Sequence, residues 1–138
     1  MNTITEKTEN VTELLLQILE FTEQRKEILS RNIFDRYKAG FIPQDLPTAE
    51  FAQCLTDALR EHLCRNRLLF CDSSHVRFEA NGLLEIEPVP DMEAHHLLRN
   101  NPTQYLKVQI QKLSENLLNN RLAAELLAHL KSKLEAAR

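Results

Sequence analysis

The sequence has 138 residues, a length typical of one compact domain, and 43% of them are hydrophobic, which suffices for one core without metals or disulfides. Seventeen Lys and Arg residues against twenty Asp and Glu residues give a formal net charge of -3, without long runs of one sign. This balance argues against nucleic-acid binding and against attachment to an anionic membrane. Apolar runs are short and no signal-peptide pattern opens the chain, so we expect neither membrane insertion nor secretion by the general route.

The residue types favour helices. Only two Gly and no Trp occur, while Leu, Glu, Lys, Arg, Gln and Ala are abundant, a composition typical of helices joined by few tight turns. The cysteines, Cys54, Cys64 and Cys71, are an odd set that cannot all pair within one chain, so we expect reduced thiols.

The first predicted element is a long helix over 10–38. Residues 1–9 are mostly polar and have little apolar surface to offset the entropy of ordering, which predicts a flexible lead. From Asn10, a suitable N-cap, apolar residues recur in steps of three and four. The resulting stripe is typical of a helix-pairing seam with polar groups near its end, among them Arg25. Its members are Val11, Leu14, Ile18, Phe21, Ile28 and Asn32.

The middle of the chain predicts a turn, a helix and a hairpin. Gly40 and two prolines interrupt the first helix, and Thr48 can cap a second helix over 48–70. Over 75–88 the period changes to two, and Asn81-Gly82 lies between the alternating runs, which is a strong hairpin signal.

The last element is a long helix over 102–137, preceded by a short helix that Asp91 can cap. Asn101-Pro102-Thr103-Gln104 has the cap residue, the N1 proline and the N3 glutamine of a helix start. One stripe predicts the partner of the first seam: Leu106, Ile110, Leu113, Leu117 and Leu127. Roughly opposite lies a second stripe, the candidate partner interface: Leu118, Leu122, Leu126 and Leu130.

These elements predict a mainly α fold, with antiparallel long N- and C-terminal helices, a middle helix and a small β-hairpin insertion in a single helical domain over 10–138. A final helix that is apolar on two sides needs more than one partner. Either the middle helix and hairpin of the same chain or another subunit could cover the second stripe.

No pattern of catalytic, cofactor or metal chemistry stands out. Cys64, Cys71 and His75 have a C-x6-C-x3-H spacing that is not a usual zinc pattern. A Cys–His nucleophile pair lacks any local signature, and with two glycines there is no phosphate-cradling loop. We therefore expect a non-enzymatic protein that uses no cofactor and no metal.

Two blocks resemble the flagellar basal-body rod proteins, specifically the short proximal-rod type. The first is Gln-Arg-Lys-Glu-Ile-Leu-Ser-Arg-Asn-Ile over 24–33, followed at the family spacing by Gly40-Phe41 and then by Asp45-Leu46. The family-like turn is carried by Asn32, Ile33, Gly40 and Phe41. The second block is the leucine-rich helix over 113–137. Phe34-Asp35 and Lys38-Ala39 replace the family's Ala-Asn and Thr-Pro, as in a divergent member or a paralogue.

The resemblance implies a structural subunit of the bacterial flagellum that is exported and assembles in the periplasmic basal body. In this family the terminal helices pair as an antiparallel coiled coil, and the subunits stack into a rod. The implied partners are other rod or export-apparatus proteins, or further copies of the chain.

Two alternatives from other classes stay open. One is a cytoplasmic helical adaptor or export chaperone whose leucine stripe holds a client helix; three cysteines suit a reducing compartment. The other is a homodimeric helical domain in which the stripe 118–130 is the self-interface.

Overall fold

Helix α1 spans Thr3–Phe34 in the computed structural model, which describes residues 3–136. The prediction of a flexible lead over 1–9 is therefore wrong for residues 3–9, while residues 1 and 2 lie outside the described part. Two contacts join this early part of α1 to the end of the next helix: Asn66 Nδ2 donates to Glu6 Oε2 at 3.3 Å, and Asn10 Nδ2 lies 3.1 Å from His62 Nδ1. Tertiary contact thus orders a segment whose own composition is too polar to predict it.

The α1 helix ends four residues before the predicted end at residue 38. Asp35 N–H donates to Arg31 O, and the chain then turns through Lys38 to Gly40, which has φ 74°. A positive φ is readily adopted by glycine, and this accounts for its position in the turn.

Helix α2 spans Thr48–Arg65, so the predicted helix over 48–70 is too long at its end. Asn66 adopts the left-handed conformation with φ 55° and its N–H donates to His62 O, which terminates the helix. One face of α2 is buried: Phe51, Cys54, Ala58 and His62.

The predicted hairpin is present, with a different turn. Strands β2 (Val76–Phe78) and β3 (Leu84–Ile86) pair antiparallel. A 3₁₀ turn over Ala80–Gly82 connects them instead of a two-residue Asn-Gly turn, and Glu79 N–H donates to Leu83 O at 2.8 Å. A five-residue connection over 79–83 is one of the common longer hairpin loops.

A second small ribbon was not predicted. Strand β1 (Gln44–Asp45) pairs antiparallel with β4 (Val89–Pro90). Two-residue strands are too short for a period, and a proline in the second one argued against pairing, although proline is tolerated at an edge. The ribbon brings the chain after α1 next to the chain before the last two helices.

Helix α3 spans Met92–Asn100 and α4 spans Pro102–Ala136. The Asp91 side chain accepts from Ala94 N–H at 3.0 Å, and Asn101 Oδ1 accepts from Gln104 N–H at 3.2 Å. Both predicted helix starts are therefore confirmed, with the capping bonds expected of those residues. The predicted end at residue 137 lies outside the described residues.

Two apolar clusters lie on different sides of α1. The larger one is formed by α1, α2, the hairpin and the segment after β1: Phe21, Ile28, Leu46, Phe51, Cys54, Val76, Leu84 and Ile86. The smaller one joins α1 to α4: Leu15, Ala123 and Leu127. The mainly α fold with long antiparallel terminal helices, a middle helix and a small hairpin is thus confirmed. Across residues 3–136, no helix has both the length and the apolar character needed to cross a bilayer.

Two stacked aromatic rings belong to the larger cluster. The rings of Phe21 and Phe51 lie 4.2 Å apart between centroids, nearly parallel at 8°. We expect Phe51→Ala to lower the free energy of unfolding by about 3–5 kcal/mol, because it removes a buried aromatic ring and leaves a cavity. Urea denaturation measures this, with Leu59→Ala on the exposed side of α2 as the control; equal losses in the two variants would contradict it.

Candidate functional site

Asn32 is the central residue of the contact between α1 and α4. Its Nδ2 donates to Gln109 Oε1 at 2.9 Å and to Gln44 O at 2.7 Å, and its Oδ1 accepts from Gln44 N–H at 3.1 Å. Tyr105 hydroxyl donates to Asn32 O at 2.7 Å, and burial raises the pKa of Tyr105 to about 12. One buried amide therefore ties α1 to β1 and to α4, and its side-chain polar atoms are paired.

A second polar contact lies further along the same two helices. Asn116 Nδ2 donates to Thr22 O at 2.8 Å, and Asn120 Nδ2 donates to Thr22 Oγ1 at 2.8 Å. The Thr22 hydroxyl in turn donates to Ile18 O at 2.9 Å. Thr22 and Asn116 are both buried, so this contact fixes the register of two antiparallel helices at a point remote from Asn32.

The predicted seam on α4 is partly wrong. Ile110 and Leu117 are exposed, whereas the buried face of α4 is formed by Tyr105, Gln109, Asn116, Ala123 and Leu127. Leu106 and Leu113 are half-buried. The leucine pattern gave the wrong face because α4 is apolar on several sides. Gln109, Asn116 and Ala123 recur every seven residues, and this spacing was the sequence signal of the face that packs on α1.

The predicted seam on α1 divides between two partners. Val11 and Ile18 pack against the cluster shared with α4, whereas Phe21 and Ile28 belong to the core shared with α2 and the hairpin. Phe21 and Ile28 were expected to pack against the seam leucines of α4, and instead they lie in the core with α2 and the hairpin. Leu14 is buried as well. The physical reason is that α1 is covered on more than one side, so its apolar residues form two stripes.

The candidate partner interface on α4 remains uncovered over most of its length. Leu118, Leu122 and Leu126 are 57%, 49% and 54% exposed, whereas Leu130 is half-buried against the α1–α4 cluster. The middle helix and the hairpin of the same chain thus do not cover these three leucines. Together the three are called the leucine face below.

An apolar groove adjoins the leucine face. It has a volume of about 380 Å³ and lies where α1, α2 and α4 meet. Its walls include Leu55 of α2 and Leu122 and Leu126 of α4, and its floor includes Leu15 and Phe21 of α1. The leucine face is thus continuous with a concave apolar surface.

The family-like turn places two aromatic side chains in solvent. Phe34 and Tyr37 are 81% and 83% exposed, and Arg36 lies over the Tyr37 ring at 4.5 Å. Phe41, in contrast, is half-buried. The turn therefore combines a buried polar anchor at Asn32 with an exposed aromatic tip.

A charge cluster holds β1 and the α3 cap against the helix pair. Arg25 donates to both carboxylate oxygens of Asp45, at 2.8 and 2.9 Å, and Lys112 Nζ donates to Asp91 Oδ2 at 2.9 Å. Burial by itself raises the pKa of Asp91, but the Ala94 N–H and the Lys112 ammonium outweigh it and hold this pKa below its usual value. Arg25, predicted to lie on the seam, thus serves as an ion-pair partner of β1.

A second polar cluster fastens the hairpin to α2. The Glu50 carboxylate accepts from Ser73 Oγ, from His75 N–H at 2.7 Å and from the His75 ring at 2.9 Å. These hydrogen bonds, that from Ser73 foremost, lower the pKa of Glu50 to about 2, and Glu50 raises the pKa of His75 above its usual value. Cys54 Sγ lies 3.6 Å from Ser73 Oγ and is buried.

The described Cys and His residues do not form a metal site with this cluster. Cys54, Cys64 and Cys71 are free thiols, and the latter two are exposed. Among residues 3–136, no group of three or more His, Cys, Asp or Glu side chains is arranged to hold a metal ion. The polar contacts of Glu50 are those of a structural anchor between two elements.

Comparison of the chain with protein-family models, with curated proteins and with solved structures found no match in any of the three.

The Asn32 contact predicts a large loss of stability on truncation. Asn32→Ala leaves the half-buried Gln44 N–H and Gln44 O and the fully buried Gln109 Oε1 without their hydrogen-bond partner. We expect the free energy of unfolding to fall by about 3 kcal/mol. Asn119→Ala on the exposed side of α4 is the matched control, with a change within about 0.5 kcal/mol. A similar small change for Asn32→Ala in urea denaturation would contradict the assignment.

The Glu50–His75 pair predicts that its contribution to stability is lost at both low and high pH. Because the pKa of Glu50 is lowered from 4.5 to about 2, its contribution is present above 4.5 and is lost as the pH falls toward 2. Because the pKa of His75 is raised from 6.5 by Glu50 and by nearby Glu87, its contribution is present below 6.5 and is lost as the pH rises through the raised value.

Urea denaturation over this pH range, on the native protein and on Glu50→Gln, measures both effects. We expect the difference in free energy of unfolding between the two proteins to be largest between about pH 4.5 and 6.5 and to shrink on either side. A difference that is constant with pH would show that the pair does not act as described.

Proposed function

We propose that this chain is a structural assembly subunit of the kind that builds the proximal rod of the bacterial flagellar basal body. In this proposal the protein acts by packing rather than by chemistry, and it is exported to a periplasmic assembly. The observation that carries the proposal is the leucine face: an ordered, half-exposed apolar stripe on a helix whose other side is fixed to α1. The resemblance of the blocks over 24–46 and 113–137 to short rod proteins supports the flagellar assignment.

The size of the leucine face favours cooperative assembly over a tight isolated dimer. Covering the exposed half of each of Leu118, Leu122 and Leu126 contributes about 1 kcal/mol per side chain, or about 3 kcal/mol together. Association costs at least about 4 kcal/mol in lost translational and rotational freedom. A subunit of this kind therefore stays monomeric alone and binds where several neighbours contact it at once.

A second contact surface is available at the other end of α1. Phe34 and Tyr37 lie nine and twelve residues beyond Arg25, the last residue of α1 that lines the groove, so they are too far along the chain to reach the groove of their own subunit. A subunit with apolar contact surfaces at separate places can bind two neighbours. Such heterologous contacts generate open arrays rather than closed pairs.

The apolar groove favours one alternative function, that of a helical adaptor or export chaperone. A concave surface formed by three helices and lined by Leu55, Leu122 and Leu126 is suited to the apolar side of a client helix. This reading places the protein in the cytoplasm with an export client. It differs from the rod proposal in where the protein accumulates.

The leucine face predicts the outcome of a paired substitution. Leu122→Glu with Leu126→Glu puts two charges on the exposed stripe without entering the α1–α4 cluster. We expect the variant to fold, since both side chains are about half exposed, and to fail to assemble, since charges at a buried contact are strongly unfavourable. The measurement is motility of the source organism together with the amount of the chain in purified basal bodies.

Ala128→Glu, at an exposed position on another side of α4, is the matched control and should assemble normally. Normal motility and normal incorporation of the double variant would contradict the rod proposal. If the native chain occurs only in the cytosol and the double variant loses a bound client, the adaptor function is favoured instead.

A further inference from the structure

A cavity of about 460 Å³ lies between the early part of α1 and the hairpin turn, and it shares no lining residue with the groove beside the leucine face. Its chemically distinctive lining residues are Glu13 and Gln17 of α1, Phe70 of the chain after α2, Phe78 at the end of β2, and Glu79. This volume is within the range of sites for small ligands or single side chains. The contacts described above use the backbone of Phe78 and Glu79 but none of the side chains of these residues.

The two carboxylates are not paired with a cation of the chain. Among the described residues, neither Glu13 nor Glu79 has an ion pair or a side-chain hydrogen bond. They come from different elements, and they border the same cavity. Two carboxylates that form no ion pair within residues 3–136 thus border one cavity.

Two aromatic rings line the same cavity. The rings of Phe70 and Phe78 stack with centroids 4.8 Å apart and an angle of 18°. The faces of phenyl rings carry negative partial charge and attract cations that give up part of their hydration. An anion is disfavoured by both kinds of group, and a neutral apolar ligand gains nothing from the carboxylates.

Gln17 adds an independent indication that a donor is missing. Its side chain is only 5% exposed, and its Oε1 is buried with no hydrogen-bond partner among the described residues. The Gln17 Nε2 makes one long contact, 3.5 Å to Gly82 O. A buried acceptor without a donor is uncommon in folded proteins, and because Gln17 lines the cavity, an N–H group bound there is a suitable partner for it.

We propose that this cavity binds an organic cation, namely an alkylammonium or guanidinium group. Such a group supplies positive charge to Glu13 and Glu79, a cation to the Phe70–Phe78 pair, and N–H donors to Gln17. A hard metal ion fits less well, because it requires more oxygen ligands than two carboxylates and one amide provide beside phenyl rings. A Lys or Arg side chain of another protein and a free small amine share this chemistry. The site is separate from the leucine face, so this proposal can be tested independently of the proposed function.

The test is a titration of the full chain with n-pentylammonium and with n-pentylguanidinium, followed by NMR of the Phe70 and Phe78 rings and the Gln17 amide. The neutral 1-pentanol, of equal chain length, separates charge recognition from apolar contact. We expect both cations to shift these signals at low salt, and pentanol to bind at least about tenfold more weakly.

Two variants locate the site on the chain. Glu13→Gln and Glu79→Gln remove charge while keeping the size of the side chains, and each is expected to weaken binding of the cations about tenfold. Glu93→Gln, at an exposed carboxylate of α3, is the control and should bind as the native chain does. These substitutions are at exposed positions, so the fold is retained.

Equal binding of pentanol and the cations overturns the proposal, as does unchanged binding in both glutamine variants or an absence of shifts at Phe70, Phe78 and Gln17. A further titration with end-capped Lys and Arg tripeptides distinguishes a protein side chain from a free amine as the natural source of the cation. Tighter binding of a tripeptide than of the amines assigns the site to a protein side chain, and weaker binding assigns it to a free amine.

Discussion

A buried amide is stable only when its donors and acceptors are paired, and Asn32 meets that condition through groups of two separate segments, β1 and α4. The Gln44 backbone closes two bonds, and Gln109 of α4 closes the third. The bonds to Gln44 hold the β1–β4 ribbon, and the bond to Gln109 holds the start of α4. Loss of either partner leaves polar atoms of the Asn32 side chain unsatisfied at a buried position. The antiparallel pairing of the terminal helices is therefore fixed at this residue.

The polar contacts of α4 also decide which of its sides is left free. Gln109 and Asn116 face α1, and the helix periodicity then directs Leu118, Leu122 and Leu126 away from it. A purely apolar seam on α4 could rotate to bury more leucine and would specify the pairing less closely. Directional hydrogen bonds prevent that rotation and hold an apolar stripe in solvent, where neighbours can cover it. The proposed assembly function depends on this arrangement.

The fold could be predicted further than the site. Caps at Asp91 and Asn101, the hairpin period and the long apolar repeats are local signals, and the elements they predicted are present. The seam on α4 was misassigned because leucine occurs on several sides of that helix, and periodicity cannot show which side meets a partner. The ordering of residues 3–9 and the β1–β4 ribbon depend on contacts between distant segments, such as those of Asn66 and Pro90. No local pattern carries that information.

The register of α1 against α4 is tested most directly by NMR distance measurements on the labelled native chain at low concentration. The arrangement requires cross-peaks between the Asn116 side-chain amide and Thr22, and between the Leu15 methyls and those of Ala123 and Leu127. Cross-peaks that instead connect Leu117 to Thr22, with Asn116 facing solvent, would contradict it. That outcome would restore the apolar seam expected from the leucine pattern and would remove the physical reason for an exposed leucine face.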